Sequence, residues 1–121
     1  MFFPEGQVRV WLHTRPTDMR KSFDGLSALV KHTLGEDPIS GHLFVFVNRK
    51  QTYVKILYFD RSGYCLWAKR LEQGRFHYRS TANGKVELDA TQLKLLLEGI
   101  DVRQVRRYKR YHRVHREGAL I

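Results

Sequence analysis

The residues of this chain best suited to chemistry are its aspartates and its cations. Metal-dependent cutting or joining of phosphodiesters requires carboxylates that converge on two ions a few ångströms apart. Asp18, Asp24, Asp60 and Asp101 are the carboxylates on which such a centre could draw. Each also has a local use: Asp18 as a helix cap, Asp24 on a helix surface, Asp60 in a hairpin turn and Asp101 at a helix end, all positions that favour a short acid. His112 and His115 stand at i, i+3, a spacing that can share a metal, but no obvious further ligand accompanies them. We therefore expect no catalytic centre, no metal site and no cofactor.

The cations are more numerous and more organised. Lys and Arg number 22 against 12 Asp and Glu, for a net charge of +10 and an isoelectric point of about 10.1. Such a balance favours polyanionic partners, nucleic acid ahead of an anionic membrane. Arg20 and Lys21 follow Asp18 at a helix start, where backbone N–H groups and two positive side chains can hold a phosphate; the competing reading leaves them solvated or paired with nearby acids. Lys55, Arg70, Arg75, His77 and Arg79 gather on one side of a sheet with Tyr53 among them. That surface suits a phosphate backbone or, equally, a solvated outer face that blunts aggregation. The densest charge is Arg103, Arg106, Arg107, Lys109, Arg110, Arg113 and Arg116, a run without a carboxylate in which Tyr108 and Tyr111 are interleaved. It reads as a solvated arm or as a helix that folds against DNA or RNA with its tyrosines stacking.

A hairpin ladder from Ser40 to Tyr78 must position most of these groups. Apolar and aromatic runs, Leu43 to Val47, Tyr53 to Phe59, Tyr64 to Leu71 and Phe76 to Tyr78, alternate with the turn-forming segments Asn48-Arg49-Lys50-Gln51, Asp60-Arg61-Ser62-Gly63 and Glu72-Gln73-Gly74. Pairing Asp60 with Gly63 sets Phe59 opposite Tyr64, Leu57 opposite Leu66, Lys55 opposite Ala68 and Tyr53 opposite Arg70. A tight Gln73-Gly74 turn would then bring His77 beside Arg70. In this register Val54, Ile56, Tyr58, Cys65, Trp67, Leu71, Phe76 and Tyr78 share the core face, with Lys69 as its exception. The other face is apolar at Leu57, Phe59, Tyr64 and Leu66 and basic beyond.

Around the ladder, Val8 to Leu12 predicts a short strand pairing with a sheet edge, its Val8, Val10 and Leu12 opposite in sense to Arg9 and Trp11. Thr17 or Asp18 caps a helix over about Met19 to Leu34, with Met19, Phe23, Leu26, Leu29 and Val30 apolar at helical spacing and Gly35 as its stop. A turn at Ser80 to Gly84, a strand at Lys85 to Leu88 and a helix near Ala90 to Glu98, capped by Asp89, complete the pattern, with Gly99 at its C-terminal end. A length of 121 residues suits one domain, here residues 1–101, followed by a basic tail or helix over 102–121. The single cysteine, Cys65, excludes an intramolecular disulfide framework and suggests a reducing compartment. The start, MFFPEGQ, lacks a basic region followed by an apolar one, and no apolar stretch is long enough to span a membrane. A cytoplasmic protein is expected.

Several blocks in colinear order then carry a resemblance. Thr17-Asp18-Met19-Arg20-Lys21-Ser22-Phe23-Asp24-Gly25-Leu26, Ser40-Gly41-His42-Leu43-Phe44-Val45-Phe46, Lys55-Ile56-Leu57 with Asp60, Lys69 to Phe76, and Leu96-Leu97-Glu98-Gly99-Ile100-Asp101 closely resemble the TnpB accessory family of insertion sequence 66, a group of bacterial transposable elements. The large RNA-guided nuclease of the same name is unrelated. The resemblance covers about Val8 to Asp101. The chain departs from the family pattern at Ser22, commonly Gly, at Val102, often Trp, and in its longer basic tail. What the resemblance implies is an accessory role in transposition beside a separate, larger transposase that carries the strand-cutting chemistry; it supplies no catalytic residues.

The expected fold is α+β, one antiparallel sheet of five or six strands, mostly a meander, with an N-terminal and a C-terminal helix largely on one face. The expected function is a non-catalytic, DNA-binding accessory factor that contacts element ends or DNA in general and docks to its transposase. The alternative is a protein-interaction module that contacts the transposase or a host factor without touching DNA.

Overall fold

The computed structural model describes residues 7–101. The segment expected as a basic tail, with Arg103, Arg106, Arg107, Lys109, Arg110, Arg113, Arg116, His112 and His115, lies outside the described residues. Seven elements follow in order: β1 (Val10–His13), α1 (Phe23–His32), β2 (Leu43–Val47), β3 (Tyr53–Asp60), β4 (Gly63–Arg70), β5 (Lys85–Leu88) and α2 (Ala90–Leu97). They form one five-stranded sheet in the order β4-β3-β2-β1-β5 with two helices, an α+β fold.

The β3–β4 hairpin has the register that its turn chemistry dictates. Tyr53 pairs with Arg70, Lys55 with Ala68, Leu57 with Leu66, Phe59 with Tyr64 and Asp60 with Gly63. Arg61 takes φ 55° to close the reversal. Antiparallel pairing continues from β3 to β2, where Val45 faces Ile56 and Val47 faces Val54.

The rest of the sheet differs from a meander. β1 is an interior strand, not an edge: it pairs parallel to β2, Val10 with Leu43 through His13 with Phe46, and antiparallel to β5, Val10 with Leu88 through His13 with Lys85. The parallel pair is possible because residues 14–42 are long enough to carry α1 as a crossover. Interior placement follows from the composition of β1, whose Val10 and Leu12 face one layer while Trp11 faces the other. The expected strand at Phe76 to Tyr78 does not form. Phe76 N–H donates to the Gln51 carbonyl at 2.7 Å and the Gln51 amide donates back to the Phe76 carbonyl at 3.1 Å. Those groups are spent on the β2–β3 turn, while the fully buried Phe76 ring fills the core beneath it. No ladder therefore brings His77 to Arg70.

The helices cover opposite faces, not one. On one face Val10, Leu12, Val45, Val47, Val54, Ile56 and Phe76 pack with Leu93, Leu96 and Leu97 of α2; on the other Phe44, Phe46 and Leu57 pack with Leu26, Val30 and Leu34 of α1. The cause is β2, Leu-Phe-Val-Phe-Val, which is buried along its whole length and needs a cover on both sides. Each completely buried Phe or Leu contributes roughly 1.5–3 kcal/mol.

Helix α1 starts a turn later than its apolar spacing suggests. Asp18 caps a tight turn that precedes the helix: its Oδ1 accepts from Arg20 N–H at 2.9 Å, and its carbonyl accepts from Lys21 N–H at 3.1 Å. The N-cap is Ser22, which makes no side-chain capping bond. Phe23 consequently leaves the core and is 44% exposed. Gly35, at φ 68°, ends the helix as expected, with Glu36 N–H returning to the Val30 carbonyl. Helix α2 opens on the expected Asp89 in a reciprocal capping box: Asp89 Oδ1 accepts from Gln92 N–H at 2.7 Å, and Gln92 Oε1 accepts from Asp89 N–H at 2.8 Å. Among the described residues no helix is long and apolar enough to cross a membrane.

Candidate nucleic-acid interface

The five strands bring His13, Val47, Tyr53, Arg70 and Lys85 to the same end of the sheet. Three connections cross that end: residues 14–22, 48–52 and 71–84. Together with the end of β4 they carry Arg15, Arg20, Lys21, Arg49, Lys50, Arg70, Arg75 and Arg79 against two acids, Asp18 and Glu72. The opposite end has another composition. Its β3–β4 turn carries both Asp60 and Arg61, Asp37 lies in the approach to β2, Asp89 follows β5, and Arg9 sits 3.7 Å from Glu87. Positive charge is thus segregated along the strand direction.

Of the cations expected to contact DNA, Arg20, Lys21, Arg70, Arg75 and Arg79 are exposed at this end and His77 is half-buried there. Arg20 grips Asp18 with Nε at 3.1 Å and Nη2 at 2.7 Å, which holds the Asp18 carboxyl down at about 2, yet the Arg20 side chain is 92% exposed. Arg70 Nε lies 3.2 Å from Glu72, a solvent-exposed pair worth little. His77 Nδ1 is 4.0 Å from the Asp101 carboxylate. Among the described residues Lys21, Arg75 and Arg79 form no ion pair.

Lys55 has a different position from its neighbours. Its Nζ donates to the Met19 carbonyl at 2.8 Å and to the Lys21 carbonyl at 2.9 Å, so it clamps the approach to α1 onto the sheet. Two lysines outside the set expected to contact DNA do similar work. Lys69, the misfit on the core face, donates to the Leu97 carbonyl at the end of α2 and reaches Glu98. Lys85 donates to the Leu34 carbonyl after α1, bonds Glu36, and sits 4.3 Å over the Trp11 ring. Cations at helix C-termini satisfy orphan carbonyls and oppose the helix dipole.

Sequence reading also missed Arg15, Arg49 and Lys50 as members of the basic end. Arg15 Nη2 donates to the Ala82 carbonyl at 2.9 Å, and its guanidinium lies so close to Gly84, at φ 73°, that a Cβ there would come within 3.2 Å. The signal for Arg49 and Lys50 is the parity of the ladder: alternate turns of a meander fall at the same end, which aligns residues 48–52 with the segment after Arg70 and sets Arg61 apart.

The last described residue belongs to this end too. α2 starts after the far end of β5 and finishes at Lys69, and a Cβ on Gly99 would lie 3.3 Å from Leu71 and 3.4 Å from the Arg75 carbonyl. Asp101 therefore lies beside His77 at the basic end.

The four candidate carboxylates are dispersed: Asp18 on Arg20, Asp24 in the first turn of α1, Asp60 in the far turn and Asp101 near His77. Among the described residues no three His, Cys, Asp or Glu side chains are grouped to hold a metal ion. His13 is buried, its Nδ1 3.1 Å from the Gly84 carbonyl and its ring edge-on to Phe46; burial lowers its pKa below the usual value.

Comparison with known proteins gives no matching solved structure. Two relatives come from Sinorhizobium fredii: the uncharacterized protein y4hO, 44% identical over 101 residues covering 83% of this chain and 88% of the relative, and the uncharacterized protein y4jC, 34% identical over 105 residues covering 87% and 90%. The model of the family described as IS66 Orf2 like protein matches residues 8–107, nearly the whole of what surrounds this basic end, and the chain belongs to that family.

Proposed function

We propose that this protein is a non-catalytic accessory factor of DNA transposition that binds DNA through the basic end of its sheet and assists a separate transposase in a bacterial cytoplasm. Family membership carries the association with a transposable element. The observation that supports DNA contact is the convergence of three connections on one end, which together with the end of β4 carry eight cations against two acids. Arg15, Arg20, Lys21, Arg49, Lys50, Arg70, Arg75 and Arg79 form the contact surface in this reading, while Lys55 serves as an internal clamp. Phosphates are the target, since a cluster of exposed cations on a rigid rim binds backbone charge and carries no direct sequence information.

The test is a binding titration with element-end DNA, random DNA and purified transposase across a salt series. Affinity for both DNAs should fall with salt at a log-log slope near −0.9 for each phosphate neutralised. Ending the chain at Asp101 should reduce the magnitude of that slope by several units for both DNAs alike, and Mg²⁺ or Mn²⁺ should leave the DNA intact. Salt-independent DNA binding, or transposase binding alone, would favour the interaction-module reading; cleavage abolished by Asp18→Ala or Asp60→Ala would make the protein an enzyme.

A further inference from the structure

Three large apolar side chains are exposed among the described residues: Val8, Phe23 and Ile39. Val8 precedes β1 and Ile39 lies in the approach to β2, both away from the basic end. A lone exposed apolar side chain needs no explanation, but the setting of Phe23 is distinctive. It is the first residue of α1, directly after Arg20, Lys21 and Ser22, all exposed. The backbone leading to it is fixed, because Lys55 holds the Met19 and Lys21 carbonyls. The same Lys55 Nζ lies 5.9 Å from the centroid of the Tyr53 ring, and Tyr53 pairs across the ladder with Arg70. Tyr53 and Arg70 thus adjoin the Lys55 clamp on the sheet, and the segment that the clamp holds carries Arg20, Lys21 and, two residues on, Phe23. The acids nearest along the chain are Asp18, which Arg20 occupies, and Asp24 in the first helical turn, while Glu72 lies 3.2 Å from Arg70 Nε in an exposed pair that a phosphate can displace.

We infer that this corner of the basic end binds nucleic acid with unpaired bases, Phe23 stacking on an exposed base while Arg20, Lys21 and Arg70 hold the backbone on either side. The inference rests on the DNA-binding reading and narrows its substrate to single-stranded, mismatched or locally opened DNA. Cations alone bind paired and unpaired strands through the same phosphates. An aromatic face adds attraction only where a base is free to stack, and it does so for any base. A fixed backbone matters here because a ring already held in place loses little freedom on binding.

The experiment compares the full-length protein on a paired duplex, the same duplex with a central run of mismatches, and oligothymidine of equal length, with 2-aminopurine in the mismatched run as a stacking reporter. The wild type should prefer the unpaired substrates by about tenfold and quench the reporter. Phe23→Ala should abolish that preference and the quench while leaving duplex affinity within about twofold and the salt slope unchanged; Phe23→Trp should retain both. Because Phe23 lies outside both cores, a matching thermal melt of the variants checks that the fold is intact. Steep salt-dependent binding to all three DNAs without preference, or a preference that survives Phe23→Ala, overturns the inference and leaves the DNA reading standing. Loss of all nucleic-acid binding overturns both, as does selective capture of polyglutamate in place of DNA.

Discussion

At one end of the sheet the chain reverses between Asp60 and Gly63 in two residues, and the turn carries one acid and one cation. At the other end three longer connections spread over the strand ends, and among the described residues they carry nearly all the unbalanced charge. Length alone does not account for the contrast, since a long connection free to move would present its cations in no fixed arrangement. What separates the two ends is anchoring. The basic end is fastened from below by Phe76 in the core, by the paired bonds between Gln51 and Phe76, by Thr17 N–H on the Val47 carbonyl, and by Lys55 under the approach to α1. Buried groups hold the connections, and their exposed neighbours are left for a partner.

That division of labour can be broken by experiment. The largest effect is expected from Phe76→Ala, which empties a fully buried aromatic site and should cost about 3–5 kcal/mol in urea unfolding. A loss under about 1 kcal/mol would mean that residues 71–84 do not depend on their plug. Next comes Lys55→Met, which strands two carbonyls and should cost about 1–3 kcal/mol. Were Lys55 instead a phosphate ligand, the variant would keep its stability and lose salt slope. Paired Arg49→Ser and Lys50→Ser substitutions should change stability by less than about 0.5 kcal/mol and lower the magnitude of the DNA salt slope by about two units, while Arg61→Ser at the opposite end should alter neither. The smallest effect concerns His13. Its folded pKa lies below its unfolded value, so the unfolded chain takes up the proton first; stability is full above the unfolded value near 6.5 and falls as pH drops through it. His13→Asn should flatten thermal stability over that window, and an unchanged pH profile would remove His13 as its cause.

How much of this was legible depends on whether the information is local. The β3–β4 register follows from Asp60-Arg61-Ser62-Gly63 and the alternation beside it, and the capping box of α2 follows from Asp89 and Gln92, four neighbouring positions in the chain. The partners of β1 are not local. Nothing in Val-Trp-Leu-His names a strand thirty residues on or another near the end of the fold. Phe76-His77-Tyr78 has the composition of a strand, yet the tertiary demand for a plug at Gln51 took its backbone groups. Phe23 fits the apolar period of α1, but the Asx turn at Asp18 delays the helix and turns that ring to solvent. Lys69 was the one visible anomaly on the core face, and its meaning depended on where α2 ends.

The interior position of β1 bears on how the chain assembles during synthesis. β2, β3 and β4 are joined by local reversals, which close on a microsecond scale. β1 waits for two partners, and His13 is separated from Lys85 by about seventy residues. At bacterial and eukaryotic elongation rates of about 5–20 residues per second, that separation corresponds to roughly 4–14 s between the appearance of one strand and the other. Through that interval the growing chain presents an unpaired apolar strand edge, the kind of surface that recruits holdase chaperones or other nascent chains. β5 closes the last edge of the sheet, so a chain interrupted before Lys85 would hold β4-β3-β2-β1 with the outer side of β1 uncovered.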